Sequence, residues 1–181
     1  MTEWLDILRQ SIAREWGDAS PVAALATVDW QKHPHVRYVV VRRVDSDGVM
    51  WITSDSRTGK NQQIRQNPHV ELSFWLPKVR EQFRISAIAS IDAVPDSICY
   101  SFWQTIPDAT RATFLWPTPG DPLESRLYFP SETEIVSGPP TNFELLQLTP
   151  HQIEHLDLNP HPHQRRRWRR DTDWTLENIN P

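Results

Sequence analysis

Residues 54–60 read SDSRTGK and directly follow VMWIT, an apolar run typical of a strand. The stretch combines two cations, Arg57 and Lys60, with the hydroxyl side chains of Ser56 and Thr58. Arg donates a planar fork of hydrogen bonds and Lys supplies a point charge, and both suit a phosphate group. A helix is predicted to begin at Lys60, and the free N–H groups of a first helical turn favour the same anion. The alternative is a solvated loop whose cations bind nothing.

The Gly59-Lys60 pair invites comparison with the P-loop of nucleotide triphosphatases. That motif needs a glycine five residues before Gly59 and a Ser or Thr directly after Lys60. The two positions hold Ser54 and Asn61. The sequence therefore excludes a P-loop and leaves a simpler anion site.

Bulk properties limit the class of protein. The chain has 181 residues and a formal net charge of -4, with a pI near 6.0, which predicts one domain that is not built for nucleic acid or anionic lipid. No segment approaches the roughly 18 apolar residues of a membrane span. The first ten residues carry acids and lack a basic n-region, and Cys99 is the single cysteine. These features predict a soluble, cytoplasmic protein.

Nine Trp and five Gly make an unusual composition. Trp carries a large apolar area and one N–H group that needs a partner. Three interpretations remain open: a flat aromatic ligand, a broad aromatic subunit interface, and filling of the core.

Hydrophobic spacing predicts a helix followed by strands in the first half of the chain. Apolar residues at three- and four-residue steps indicate an N-terminal helix that Gly17 and Pro21 end: Trp4, Leu5, Leu8, Ile12 and Trp16. The predicted strands are 22–29, 36–44, 49–55, 70–76 and 79–94, and the predicted helix is 60–68.

The second half is less regular. A helix is expected at 97–106 and a further helical turn at 111–116, followed by a Pro-rich loop at 117–134. Four segments are expected to form a final run of antiparallel strands: 143–150, 151–158, 165–171 and 173–181. Many hairpins with few helices predict a mainly β fold with flanking helices, an antiparallel barrel that is closed or split. The predicted organisation is a single domain, 1–181, with an N-terminal helix (1–20), a barrel core (20–95), a helical and loop insertion (96–140) and C-terminal strands (141–181).

The order of several segments resembles the pyridoxamine 5'-phosphate oxidase family, whose members fold as an FMN-binding split β-barrel. The segments are ATVD at 26–29, RYVVVRRVDSDG, WITSDSRTGK, QNPHVELSFW and VREQFRISAIAS. RATFLWPTPG and the Arg-rich C-terminal stretch look like a branch of that family described only as FMN-binding. The resemblance covers residues 20–95 best, and it implies that SDSRTGK holds the phosphate of FMN.

Carried over residue by residue, the resemblance implies an FMN site built from three segments. Its residues are Arg37, Tyr38, Val39 and Val40 on one strand, Ile52 and Thr53 on the next, and Ser56, Arg57 and Lys60 around the phosphate. One residue more than in the family's Ser-Arg-Lys run leaves the match of Ser56, Arg57 and Thr58 open by one position. Gln82 would reach the flavin from the other subunit, which implies a homodimer with FMN at the interface.

A cation near the flavin ring would raise its reduction potential. The candidates are Arg42 and an Arg of the last Arg-rich strand, for which Arg166 is taken. The segment RRRWRR at 165–170 has three interpretations: a solvated edge strand, a strand that directs one face at the flavin or the subunit interface, and a nucleic-acid patch.

The His residues and Cys99 are interpreted conservatively. The paired His residues are expected at the surface without a metal, and a haem ligand among them is a minor alternative: His33, His35, His151, His155, His161 and His163. Cys99 lies among apolar neighbours and is expected to be a buried, inert thiol.

The substrate apparatus of the oxidase is the part of the family pattern that this chain lacks. Where the oxidase holds its substrate phosphate with Tyr, Arg and Ser, the chain offers Phe102, Ile106 and Arg111. NPHPHQRRRW also lacks the oxidase's Arg-Leu-His triplet. The resemblance therefore implies an FMN-dependent oxidoreductase acting on another small molecule. The alternative is a non-catalytic flavin or haem binder, or a sensor, of the same fold.

Overall fold

The computed structural model of the chain describes residues 2–134 and 136–181. The helices are α1 (Glu3–Trp16), α2 (Gly59–Gln66), α3 (Asp96–Thr105) and α4 (Asp108–Thr113). The strands are β1 (Val22–Val28), β2 (Pro34–Val44), β3 (Met50–Asp55), β4 (His69–Leu76), β5 (Glu81–Ser90), β6 (Phe143–Asp157), β7 (Gln164–Arg169) and β8 (Glu177–Ile179). None of the described helices has the length and apolar character needed to span a membrane.

Six strands close into an antiparallel barrel. Their order is β3-β2-β1-β4-β5-β6, and a pairing between β3 and β6 completes the circle. Strands β7 and β8 extend the sheet beyond β6. Closure removes the free edges that an open sheet would expose. The predicted mainly β fold with an antiparallel barrel is confirmed.

Alternation of apolar and polar residues decides which side of each barrel strand is buried. In β4, Val70, Leu72, Phe74 and Leu76 point inward, and the residues between them point outward. Strand β5 alternates in the same way from Glu81 to Ser90. Each inward Leu or Phe contributes roughly 1.5–3 kcal/mol by leaving water, which favours this register over a one-residue slip.

Two helices cover the barrel. Helix α1 buries Trp4, Leu5 and Leu8 in the main core, as the predicted amphipathic spacing requires, and it ends at Gly17, whose φ is 60°. Helix α2 is one residue longer at its start than expected, and it packs the buried Ile64 into the same core.

Helices α3 and α4 belong to a second, smaller cluster beside β3 and β6. Its buried members include Trp51, Phe102, Trp103, Ile106, Phe114, Phe143 and Leu145. Aromatic rings meet edge to face there, with Phe114 and Phe143 centroids 5.0 Å apart. Three Trp side chains are fully buried, so part of the Trp content does fill the core.

The C-terminal strands differ from the prediction. Segments 143–150 and 151–158 form one strand, β6, because a bulge accommodates Pro150 within it: the pairing with β5 shifts between Ser86 and Ala87. The segment 173–181 contributes only the three residues of β8. Asp173 and Trp174 have positive φ angles, and a 3-10 turn over Arg170–Thr172 precedes them.

Candidate functional site

Strand β2 and helix α2 bring Arg37 to the end of the barrel. The guanidinium of Arg37 donates to the Leu25 carbonyl oxygen at 3.1 Å, the Thr27 Oγ1 at 2.6 Å and the Gln63 Oε1 at 3.1 Å. Thr27 Oγ1 in turn donates to Gln63 Oε1 at 2.6 Å. The side chain of Arg37 is thus held in place by neutral groups from β1 and α2.

Lys60 lies in the first turn of α2, near Arg37. Its Nζ donates to Thr58 Oγ1 at 2.7 Å. Burial, and then repulsion by Arg37, lower the pKa of Lys60 from 10.5 to about 8. Arg37 and Lys60, here called the cation pair, therefore repel one another in a partly dehydrated place.

The donors around the cation pair fit a phosphate group. Among residues 2–134 and 136–181, no carboxylate lies within 4.0 Å of the charged nitrogens of Arg37 or Lys60, whereas most other Arg side chains have one. Helix α2 begins at Gly59, so its positive end lies next to Lys60. An anion of charge near -2 would remove the repulsion within the pair and restore the charge of Lys60.

Arg57 makes contacts of a different kind. Its Nη2 and Nε donate to the Asp55 carboxylate, with Nη2 2.6 Å from Oδ2. Its guanidinium also donates to the carbonyl oxygens of Trp116 at 2.9 Å and Phe114 at 3.4 Å. Burial alone would raise the pKa of Asp55, but the bonds from Arg57 outweigh it and lower that pKa. Asp55 thus neutralises Arg57. The neighbouring Ser56 is tied through its backbone N–H to the Asn142 oxygen at 2.8 Å.

A series of side-chain hydrogen bonds, which the sequence did not reveal, fixes α2 against the barrel. Ser54 Oγ donates to Asn61 Oδ1 at 2.5 Å, and Asn61 Nδ2 donates to Glu144 Oε2 at 2.5 Å. Arg65 Nη2 reaches the other oxygen of Glu144 at 2.6 Å. Because Ser54 and Glu144 lie on β3 and β6, these hydrogen bonds join three elements and fix the position of Lys60.

The predicted flavin-binding strands present their residues in two directions. Val39 and Ile52 are buried in the barrel core, so only their backbone groups can address a ligand. Thr53 and Val40 are half-buried, and Tyr38 is 81% exposed on the outer face.

Arg42 lies where the pairing of β2 with β3 shifts, between Val41 and Arg43. Its Nε is buried and has no hydrogen-bond partner among the residues that the structure describes. Burial lowers the pKa of Arg42. A half-buried guanidinium of this kind is a group that an anion or a polar ligand edge would stabilise.

Gln82 and Arg166 lie elsewhere in the sheet. Gln82 is on the outer face of β5, where it lines a small cavity of about 80 Å³ with Arg84, Glu154 and Arg165. Arg166 pairs across strands with His155 and donates to Gln164 Oε1 at 2.8 Å. The described contacts of either residue do not include the cation pair.

The Arg-rich segment is not an edge strand along its first half. Strand β7 lies between β6 and β8, and Trp168 is fully buried. The other face pairs its cations with carboxylates: Arg165 with Glu154 at 2.5 Å, and Arg167 with Glu177 at 2.6 Å. These ion pairs leave less free charge for a nucleic acid than the sequence suggested.

The prediction that the paired His residues lie at the surface is wrong for His155. His155 is 3% exposed, stacks on Phe83 with ring centroids 4.4 Å apart, and lies 3.1 Å from Glu81 Oε2. Its burial lowers the pKa of His155 despite Glu81. Within the described residues, no three His, Cys, Asp or Glu side chains converge as metal ligands. Cys99 is half-buried, and burial raises the pKa of its thiol.

The stretch that the resemblance matches to the oxidase's substrate-phosphate residues contributes to the second core cluster. Phe102 and Ile106 are each 4% exposed. Arg111 pairs with Asp108 and lies over the Trp103 ring at 5.8 Å. Neither apolar side chain is free to face a ligand.

The structure thus combines a closed antiparallel barrel with a half-buried cation pair at a helix start, an arrangement that suits a bound phosphate. Residues 1–92 match the family model described as "Pyridoxamine 5'-phosphate oxidase, FMN-binding domain". The chain belongs to this family, and its cofactor is FMN.

Relatives cover most of the chain. A pyridoxine/pyridoxamine 5'-phosphate oxidase of Gluconobacter oxydans is 27% identical over 87% of this chain and 82% of its own. The enzyme named pyridoxine/pyridoxamine 5'-phosphate oxidase 2 of Arabidopsis thaliana is 29% identical over 90% of this chain and 88% of its own.

Solved structures match the whole fold. A pyridoxamine 5'-phosphate oxidase-related, FMN-binding protein of Nostoc punctiforme superimposes with a TM-score of 0.85 and 30% identity, covering 100% of this chain and 99% of its own. PhzG of Burkholderia lata superimposes with a TM-score of 0.86 at 18% identity, over 100% of this chain and 94% of its own. The second likeness concerns the fold alone.

Proposed function

We propose that the protein is an FMN-dependent oxidoreductase and that the cation pair binds the FMN phosphate. The observation that carries this proposal is that no described carboxylate lies within 4.0 Å of the charged nitrogens of Arg37 or Lys60, two half-buried cations whose described hydrogen-bond partners are neutral. Attraction by the more distant Asp55 and Glu144 does not offset the burial of Lys60 and its repulsion by Arg37. The backbone N–H groups at the start of α2 add donors. Bound FMN supplies electron or hydride transfer, and the chain binds and orients it.

The remaining residues of the predicted site receive separate roles. The backbone groups at Val39, Val40 and Ile52 address the flavin, because the side chains of Val39 and Ile52 are committed to the core. Arg42, whose buried Nε has no hydrogen-bond partner among the described residues, places positive charge near the ring or the substrate. Arg57 acts on the cofactor indirectly, by holding Asp55 and the loop after α4 in place.

A second copy of the chain completes the site in this proposal. The outer face of β2, β1, β4 and β5 exposes Val36 (72%), Tyr38 (81%) and Trp75 (51%). Ala24 lies between Tyr38 and Ser73 in the register, so the centre of the face is flat. Gln82 pairs with Trp75 on the same face. A dimer formed through this face brings the Gln82 of one protomer towards the cofactor of its partner.

The test compares FMN with riboflavin, which lacks the phosphate. Lys60→Met removes one charge-assisted interaction worth on the order of 1.5–3 kcal/mol, so FMN affinity falls at least about tenfold while riboflavin affinity stays within about twofold. Isothermal titration of the apoprotein measures both. Arg57→Met is the matched control: it removes a cation that Asp55 already neutralises, and FMN affinity falls less than in Lys60→Met.

Two results would contradict the assignment. Equal losses for FMN and riboflavin would show that Lys60 does not bind the phosphate. A larger loss in Arg57→Met than in Lys60→Met would move the phosphate to Arg57. Bleaching of the bound FMN by a reduced nicotinamide, followed at its visible absorption bands, distinguishes an oxidoreductase from a flavoprotein without turnover.

A further inference from the structure

The loop after α4 encloses a cavity that neither the family match nor the proposed phosphate site assigns. The cavity has a volume of about 340 Å³ and lies between Asp55 and residues 113–129. This volume falls within the range of small-molecule sites in proteins. We call it the loop cavity.

The walls of the loop cavity are apolar and aromatic. Phe114, Trp116 and Phe129 line it, together with Leu123 and Leu127. The rings of Trp116 and Phe129 meet at 83° with centroids 5.5 Å apart. A lining made of apolar and aromatic side chains suits a flat apolar ring.

Hydrogen bonds hold these walls without a ligand. Asn142 Nδ2 donates to the Phe114 carbonyl at 2.9 Å, and Arg57 Nη1 donates to the Trp116 carbonyl at 2.9 Å. The Trp116 indole N–H donates to the Pro130 carbonyl at 2.9 Å. The loop is therefore attached to β3 and β6 at several points, and a bound molecule need not order it.

The charges around the loop cavity select against anions. Asp55 is part of the wall, and its carboxylate accepts hydrogen bonds from Arg57 and Asn142. Asp121 lines the opening, is exposed, and forms no ion pair in the part of the chain that the structure describes. Arg57 offsets one of these two carboxylates. A carboxylate or phosphate on the ligand would meet the remaining negative charge, whereas a neutral or cationic ring would not.

From this geometry we propose that the loop cavity binds a small aromatic molecule that is neutral or cationic. The inference does not depend on the cation pair, because its walls come from the loop after α4. The proposed ligand differs from a phosphorylated substrate in its charge and in its binding place.

Isothermal titration of the FMN-loaded protein tests the proposal with three probes of similar size: indole, benzamidinium and benzoate. We expect saturable binding of one indole and one benzamidinium per chain, and benzoate binding at least about tenfold weaker. Asp121→Asn should bring the affinity for benzoate closer to the affinity for indole. Failure of both indole and benzamidinium to bind at millimolar concentration would overturn the proposal, as would equal binding of all three probes.

A matched pair of substitutions locates the bound probe. Leu127→Trp fills the cavity and should reduce indole affinity at least about tenfold. Tyr128→Trp places the same side chain at the neighbouring exposed position, which does not line the cavity, and should leave the affinity within about twofold. Similar effects of the two substitutions would place the probe elsewhere and sink the proposal.

A measurement on the unaltered protein covers the case in which Leu127→Trp does not fold. The indole N–H proton of Trp116 is assigned by its loss in Trp116→Phe. Added benzamidinium should shift this resonance with the same saturation curve as the titration. A resonance that does not move while benzamidinium binds would show that the loop cavity is not its site.

Discussion

At the scale of single residues, the charge state of Lys60 makes ligand binding depend on pH. Its pKa of about 8 lies below the ordinary value because of burial and the nearby Arg37. Above pH 8 the apoprotein holds Lys60 neutral, and binding of a phosphate dianion must take up a proton. Affinity for FMN should therefore be nearly constant from pH 6.5 to 7.5 and fall about tenfold between pH 7 and pH 9.

Riboflavin is the control for this pH dependence. Because it lacks the phosphate, its affinity should stay within about twofold from pH 7 to pH 9, and Lys60→Met should flatten the curve for FMN. Fluorescence titration of the apoprotein at several pH values measures each curve. A fall that persists in Lys60→Met would assign the proton to another group.

Residue types alone predict part of the site and miss its scaffold. Charge, position in the sequence and the family resemblance predict Arg37 and Lys60 as phosphate-binding residues, and the structure brings these two side chains together. Thr27 and Gln63, which hold Arg37, are distant in sequence and become neighbours only when β1 and α2 meet. The Asp55–Arg57 ion pair joins two sequence neighbours, but only the fold shows that it turns Arg57 towards the loop after α4.

At the scale of elements, the hairpin between β2 and β3 depends on Gly48 for its contact with α1. Gly48 has a φ of 88°, and a Cβ there would lie 2.4 Å from the Trp4 ring. Gly48→Ala therefore adds backbone strain of roughly 1–2 kcal/mol and overpacking of roughly 1–3 kcal/mol. We expect a loss of about 2–5 kcal/mol in the free energy of unfolding, measured by urea denaturation.

Gly17→Ala separates strain from overpacking. Gly17 also has a positive φ, 60°, but a Cβ there meets nothing within 4 Å. Its ψ of -123° lies outside the left-handed helical region, so its replacement should cost only the strain of a sparsely populated backbone conformation, roughly 1–3 kcal/mol. Equal losses at both positions would show that the Trp4 ring moves aside without cost.

Strong hydrophobic periodicity predicted the helices and strands, but it did not predict the bulge and the turns with positive φ angles. Strands β1 to β5 and helices α1 and α2 follow clear alternating or helical patterns, and their bounds agree within a few residues. Pro150 indicated a break in β6, but a bulge accommodates it. In the C-terminal segment, Asp173 and Trp174 have positive φ angles and form a turn where a strand was expected. Neither residue type predicts such a backbone conformation.

At the scale of the whole molecule, the exposed outer face of the barrel predicts a dimer. An apolar face with Val36, Tyr38 and Trp75 in water is unfavourable, and covering it would contribute roughly 25 cal/mol per Å². We expect sedimentation of dilute protein to give twice the 21.2 kDa of one chain. Tyr38→Arg should yield monomers that lose FMN, whereas Tyr100→Arg, at an exposed position on α3, should not. A monomer that keeps stoichiometric FMN would refute the shared site.

The substrate is the property in which this chain should depart from its oxidase relatives. A substrate phosphate needs its own cation and hydroxyl donors, and the matching stretch buries Phe102 and Ile106 instead. A dianion brought there would lose hydration without replacement, at a cost of several kcal/mol. Arg111 is committed to Asp108. Pyridoxine 5'-phosphate should therefore be oxidised far below the median enzyme rate of about 10 per second.

Oxygen consumption by the FMN-loaded protein measures this turnover, with pyridoxine 5'-phosphate as the only reductant. A reduced nicotinamide serves as the control reductant, because its bleaching of FMN would show that the cofactor is competent. The double substitution Phe102→Tyr with Ile106→Arg restores the oxidase's residue types at two positions. It should not create activity, because both side chains pack inside the second core cluster. Turnover near the median rate in the unaltered protein would mean that another cation, with Arg42 the first to examine, holds the substrate phosphate.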